Sequence, residues 1–426
     1  MCRRKAGEFA LKKWIVVALF WGVQVVTDII RVSLAVAAPV LMELYNISPS
    51  TMGYVLSGWN WAYTPSLLLV GPIVDRVGPW MALTIGAGSW SLATLALPIA
   101  TTATSLFVMR FLFGAAHSVR FPCQSSAIAR WFEPDQRATA VGLCFSGGQT
   151  GLAIGAIIAA FLLSRWGWQG VYYWIGGGSL LFTLVWLALY PDKKVGRQTA
   201  IKQGETDKEA VKIPWLLLLR HRSIWGMVLG QMGYLYCYFF FVTWLPSYLV
   251  LERGMTILET GIVASLPFWM GMLGTLAGGA MADYLIRRQG FSRTASRKTM
   301  IGVGLTLAMV LMVAAAFATQ TWLAVTLLVL CMGCIRLISA SANSTPMDLA
   351  PPMAVASFTS IQNFMGTMSG LLVAIISGYI KEATGSFFLA LLVAGGMALV
   401  GAVSYVILVE RFETLSIEPA SGRSDQ

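Results

Sequence analysis

Charge is what this sequence has least of. Only 12% of its 426 residues are Asp, Glu, Lys or Arg, about half the share usual in a soluble domain. With 57% hydrophobic residues and a mean hydropathy of +0.71, a soluble globular chain is excluded. Acid is scarcest where the chain is most apolar: of 19 Asp and Glu, Asp28 alone lies well inside an apolar run. The cysteines, Cys2, Cys123, Cys144, Cys237, Cys331 and Cys334, fall mostly inside apolar runs. There packing is their role, and no disulfide framework is indicated. Cys331 and Cys334 form a C-x-x-C, but without the soluble fold that redox or metal chemistry needs. A Walker-type loop, an H-E-x-x-H and a convincing nucleophile set are all missing, which argues against an enzyme. The loops are too short for a soluble sensing domain, which argues against a receptor. No metal and no cofactor is expected.

Long apolar runs are what the chain has in abundance. Taking runs of roughly 18 to 26 residues as membrane-spanning helices, twelve are predicted, at 14–39, 52–72, 80–100, 104–131, 138–163, 168–190, 223–250, 256–282, 299–318, 321–344, 355–380 and 386–409. The first holds Asp28 and Arg31 and has no small-residue cleavage site, so it is read as a retained helix and not a signal peptide. The fold class expected is therefore an all-α membrane protein. One connection is long, polar and central. It divides the chain into an N-terminal six-helix half (1–190), a central loop (191–222), a C-terminal six-helix half (223–410) and a tail (411–426).

A net charge of +11 would suggest nucleic acid in a soluble chain, but here it follows the positive-inside rule. Of 30 Lys and Arg, 23 fall on the side of the termini and the central loop and 3 on the other, Arg165, Arg253 and Lys381. The remaining 4 lie inside spans: Arg31, Arg110, Arg120 and Arg336. Both termini are expected in the cytoplasm, in the plasma membrane or a bacterial inner membrane. No nucleic-acid partner is expected, and the chain reads as a monomer.

The halves repeat. At one constant offset of 208, Gly53, Val55, Ser57, Gly71 and Asp75 match Gly261, Val263, Ser265, Gly279 and Asp283. Parallel repeats of this kind place a site between the halves near the midplane. GPIVDRVG (71–78), its echo GGAMADYLIRR (278–288) and the six-plus-six layout resemble the major facilitator superfamily. The stretches RFLFGAAHSVRFP, RWFEPDQRATAVGLCFSGG, FFFVTWLPSYLVLERG and IQNFMGTMSG resemble, more narrowly, its anion:cation symporter family of sugar-acid and organic-anion carriers. That resemblance implies a gate at Gly71, Asp75, Arg76 and Asp283. The family motif continues in basic residues where this chain has Pro79 and Trp80.

Span 4 carries the chemistry. Arg110 and His117 are seven apart and share a helical face, with His117 roughly 10 Å further along and Arg120 about 60° around. Four arginines against one carboxylate leave three surplus positive charges at membrane depth, which an anionic cargo compensates. Guanidinium suits that task, because its planar fork grips a carboxylate with two parallel hydrogen bonds. Arg31, Arg110, Arg120 and Arg336 are therefore the expected substrate contacts, with Tyr63, Gln149, Tyr238 and Asn363 lining the pocket. Asn363 is named because N-x-x-G-x-x-x-G resembles the family's span 11 motif. Asn60, Tyr234, Asn343 and Gln362 are further midplane candidates. The resemblance implies carboxylates for proton coupling where this chain has Ile30 and His117. Asp28 and His117, which titrates near neutrality, are expected to share that role. The protein is thus read as a secondary transporter importing a small mono- or dicarboxylate by proton symport with alternating access. An exchanger or exporter of organic anions or phosphorylated compounds is the rival.

Overall fold

The computed structural model describes residues 2–132, 134–191, 221–350, 355–410 and 412, and the central loop from 192 to 220 lies outside them. Every regular element among the described residues is helical. Span 1 is α1 (Cys2–Tyr45), which ends where Asn46 takes a left-handed φ of 54° and the Ile47 N–H returns to the Met42 carbonyl. Span 2 is α2 (Pro49–Val77); the Ser48 hydroxyl caps it by accepting from the Thr51 N–H, and Pro49 opens it with a ring whose missing donor is no loss in a first turn. Gly78, at φ 83°, closes α2 and leads into α3 (Pro79–Ala96), span 3.

Span 4 departs from the single helix expected over 104–131. It is α4 (Ala103–His117) followed by α5 (Arg120–Trp131), broken at Ser118 and Val119. Pro122 has no N–H to give the Ser118 carbonyl, and the Ser118 hydroxyl bonds the Ala115 carbonyl at 2.7 Å. Spans 5 and 6 run as α6 (Pro134–Leu189), whose 56 residues would reach about 84 Å as one rod, far beyond a hydrocarbon core of about 30 Å. Gly167, at φ 68°, is the turn between them.

Span 7 bends by 50° between α7 (Arg222–Thr243) and α8 (Leu245–Leu251). Pro246 is the cause, since it leaves the Val242 carbonyl without its helical donor. Spans 8 and 9 are α9 (Ile257–Arg287) and α10 (Arg293–Phe317), the first opened by a reciprocal cap between Thr256 and Glu259. Span 10 is broken like span 4, into α11 (Thr321–Leu337) and α12 (Ser339–Leu349). Span 11 is α13 (Val355–Thr384), and span 12 is α14 (Phe388–Val403) continued by a π turn at Ser404–Leu408.

The halves meet closely at one end. Gly53 of span 2 faces the Ala374 carbonyl of span 11, and a Cβ there would collide with backbone; Gly378 faces the Pro49 carbonyl in the same way. The repeat partner of Gly53, Gly261 of span 8, lies against Ala156 and Ala160 of span 5. Nearby, the Ser50 N–H donates to Glu382 at 3.0 Å and the Trp244 indole to the Ala374 carbonyl at 3.0 Å. At the opposite end Gly71 and Gly279 have nothing within 4 Å of where a side chain would begin. The bundle is therefore shut at the Gly53 end, with its site below that seam. Its outward flanks are apolar: Leu69, Ile99, Leu276 and Trp322 are each at least two-thirds exposed, as a lipid-facing surface requires.

Candidate substrate site

Span 1 supplies the charge and spans 2 and 7 hold it in place. Asp28 and Arg31, three apart on one helix face, stand 3.5 Å apart from Oδ1 to Nη1. The other carboxylate oxygen, Oδ2, lies 3.4 Å from Nη1 of Arg120 at the start of α5. Arg120 also donates to Gln24 Oε1 and, at 3.3 Å, to Thr27 Oγ1. Gln24 in turn donates to Gln124 at 2.9 Å. The break in span 4 is what delivers Arg120 here, because α5 starts afresh with Arg120 as its first residue.

Arg31 is gripped by rings from both halves. Its guanidinium carbon lies 4.4 Å from the Trp59 ring centroid and 4.9 Å from that of Phe239. Such contacts are worth about 2 kcal/mol or more when shielded from water. Arg110, from α4, lies under Phe113 and donates to the Arg31 carbonyl at 3.5 Å. Its Nε has no partner among the described residues. Arg31, Arg110, Asn60, Thr243, Trp59 and Phe239 line a narrow pocket between the halves. Asn60 Oδ1 is buried there without a partner among the described residues, and such an orphan is expected to find one when a ligand or water enters.

Tyr63 stacks on Trp59 with centroids 4.4 Å apart. His117 does not join the ion pairs. It sits among Trp59, Tyr63, Trp90 and Phe113, its Nδ1 accepting from the Trp59 indole at 3.1 Å. Acceptance at Nδ1 leaves the proton of a neutral ring on Nε2.

Across the interface Arg336, two residues before the break in span 10, donates to the Tyr234 hydroxyl at 2.7 Å and to Thr275 at 3.3 Å, and lies over the Tyr238 ring at 5.4 Å. The breaks in spans 4 and 10 thus flank the site in both halves, at His117 and at Leu337. Gln149 of span 5 donates to the Tyr238 hydroxyl at 3.5 Å, while its buried Oε1 has no partner among the described residues. Asn343 accepts from Gln231 at 3.3 Å, and Gln362 bonds the Ala342 carbonyl and Tyr405, so both belong to a network within the C-terminal half. Asn363 is half-buried on span 11, one turn before Thr367, which accepts from Thr64 at 3.0 Å.

Of the expected gate, Gly71 is uncrowded and Arg76 exposed; the side chains of Asp75 and Asp283 lie outside those described. Residues not anticipated from sequence are Gln24, Thr27, Trp59, Phe239 and Thr275. Gln24 and Thr27 carried a signal, as polar residues beside Asp28 in an apolar run. Trp59 and Phe239 carried none, since aromatics are common in every span.

Three comparisons bear on this arrangement. The family model described as Major Facilitator Superfamily matches residues 20–374. The chain is 31% identical over 442 residues to a probable galactarate/D-glucarate transporter of Escherichia coli K12, covering 96% of both. It is 30% identical over 428 residues to a D-galactonate transporter of Escherichia coli, covering 95% of this chain and 97% of that one. A hexuronate transporter of Bacillus subtilis is 28% identical over 405 residues, covering 94% of this chain and 96% of that one. Among solved structures, an inward-facing, unoccupied bacterial homolog of the human lysosomal transporter Spinster superposes with a TM-score of 0.72 over 93% of this chain and 95% of that one, at 16% identity. That last likeness concerns the fold.

Proposed function

The chain belongs to the Major Facilitator Superfamily, and on that footing we propose that it carries a small organic anion of the sugar-acid class into the cell by proton symport. Membership makes it a multi-pass membrane transporter and not an enzyme. The observation that carries the anion assignment is the pocket wall, where Arg31 and Arg110 stand together with one carboxylate, Asp28, to offset them. Two guanidiniums at one buried site favour an anion by both charge and donor geometry. The curated relatives described above are named for galactarate, D-glucarate, D-galactonate and hexuronate, all anions at neutral pH.

In this reading Arg31 and Arg110 take a carboxylate, with Asn60, Gln149 and Tyr238 facing the hydroxyls. Arg120 takes no substrate and instead holds Asp28. We place the proton on Asp28 rather than sharing it with His117, because Asp28 touches both Arg31 and Arg120 while His117 is enclosed by rings. A proton on Asp28 would loosen both arginines, and an arriving carboxylate would take its place beside Arg31. The charge asymmetry of the loops sets both termini in the cytoplasm. The seam at Gly53 then closes the extracytoplasmic end, and the site opens inward, ready to release cargo.

The test is counterflow in proteoliposomes, with labelled galactarate exchanged against unlabelled acid and net uptake measured with and without an inward pH gradient. Exchange without any response to the gradient would identify an exchanger; no exchange of any sugar acid would end the anion assignment. Arg110→Lys keeps the charge but loses the fork, and its apparent affinity should fall at least about tenfold, the equivalent of about 1.4 kcal/mol.

A further inference from the structure

We propose that Arg336, with Tyr234 and Thr275, forms a second carboxylate site in the C-terminal half beside the first, so that the preferred cargo has an acid group at each end. This rests on the reading of the chain as an organic-anion carrier and narrows it from sugar acids at large to sugar dicarboxylates.

The four arginines of the span interiors divide into two kinds. Arg31 and Arg120 share Asp28. Arg110 and Arg336 have only neutral partners among the described residues: for Arg110 a carbonyl and a ring, for Arg336 two hydroxyls and a ring. One of these acid-free cations belongs to each half. A monoanion at Arg31 and Arg110 leaves the Arg336 end bare, whereas a dianion answers both halves at once. With four guanidiniums and one carboxylate in the spans, a dianion lowers the surplus from three charges to one. Burying an unanswered charge is what the bundle otherwise has to bear.

The spacing agrees. Tyr238 and Phe239 are neighbours on span 7, and each carries one arginine on its ring. The distances from Arg31 to Phe239, from Phe239 to Tyr238 and from Tyr238 to Arg336 are 4.9, 5.6 and 5.4 Å between guanidinium carbons and ring centroids; laid end to end they cap the separation of the two guanidiniums at about 16 Å. An extended six-carbon chain separates its end carbons by roughly 6 Å, from five zigzag bonds of about 1.5 Å. A forked guanidinium stands roughly 4 Å from each carboxylate carbon when its N to O distances are about 2.8 Å. The span required, about 14 Å, lies inside that outer limit, which bounds the separation without fixing it. Gln149 reaches in from the other half: at Gly271 a side chain would meet both Arg336 Cγ, at 3.0 Å, and Gln149 Oε1, at 3.4 Å. Gln149 Oε1, buried and unpartnered among the described residues, is an acceptor suited to a hydroxyl midway along such a chain.

Galactarate and galactonate share six carbons and differ at one end, carboxylate against alcohol, and are the probes. In proteoliposomes of the full chain, unlabelled galactarate should compete with labelled galactarate at least tenfold better than galactonate does. Arg336→Gln should weaken galactarate at least tenfold and bring the two acids level, while galactonate competition persists and shows that the variant is folded. Arg336→Lys should restore part of the preference. Equal competition by the two acids in the unaltered protein, or an Arg336→Gln variant that weakens both by the same factor, overturns the second site. If neither acid exchanges in the unaltered protein, the carrier reading itself falls and this inference with it.

Discussion

The carboxylate of Asp28 lies 3.4 Å from the guanidinium of Arg120, tying span 1 to span 4 just past the break in the latter. Asp28→Asn leaves two arginines with an amide in place of an acid. Uptake driven by a pH gradient should fall at least about tenfold while counterflow survives. Thermal stability should drop by an amount in the range of roughly 3–5 kcal/mol, as when one partner of a buried pair is removed. Combining it with Arg120→Gln should lower stability by less than the two losses added, a coupling that a double-mutant cycle reads directly. Full pH-driven accumulation in Asp28→Asn would move the proton elsewhere.

His117 offers a separate expectation. Its Nδ1 accepts from the Trp59 indole, and Trp59 backs Arg31. His117→Gln can keep an acceptor there and should leave the pH dependence of uptake intact. His117→Phe strands the indole N–H at a penalty of about 1–3 kcal/mol and should lower stability by that much. Loss of pH-driven uptake in the glutamine variant would return the proton to His117.

The seam between the halves is tested by size. Gly53→Ala drives a methyl into the Ala374 carbonyl, whereas Gly88 has nothing within 4 Å. Gly53→Ala should therefore destabilise the closed end by roughly 1–3 kcal/mol, raising the labelling from outside of a cysteine placed at Leu56, which lines the pocket. Gly88→Ala should leave labelling unchanged. Equal labelling in the two variants would refute a closing role for Gly53.

Glu382 gives the seam a pH dependence. Hydrogen bonds from the Ser50 and Ser48 side chains and the Ser50 N–H hold its carboxyl below the usual Glu range. A carboxylate held down in this way favours the closed arrangement above its ordinary pKa, and that contribution disappears as pH falls through the lowered value. Labelling at position 56 should stay flat from neutrality down to mildly acidic pH and rise only below the normal Glu range. Glu382→Gln should show the raised labelling at every pH.

The all-helical membrane fold and the gathering of Arg31 and Arg110 at one site were legible in the sequence, the latter for one physical reason: ionisable groups are rare enough in lipid that each is informative. The constant 208 offset located Gly53 and Gly261, and the structure sets each against the opposite half. The break in span 4 has a single local signal, Pro122, four residues after Ser118, and an apolar run read by length alone passes over it. Its effect is to carry Arg120 to Asp28. The clasp of Trp59 and Phe239 on Arg31 was invisible, because it joins spans 1, 2 and 7 and no local pattern encodes a pairing across halves. The same holds for His117, whose ring of aromatic neighbours comes from three helices.

The glycine seam has one further implication. Where the halves join, the matched surfaces are small residues and carbonyl oxygens, with the Glu382 carboxylate at the rim. Surfaces of that kind can separate and rejoin without stripping hydration from an ion. An empty carrier built this way can swing back unladen, and that return stroke is what separates a pump that accumulates its cargo from a turnstile that only swaps one molecule for another.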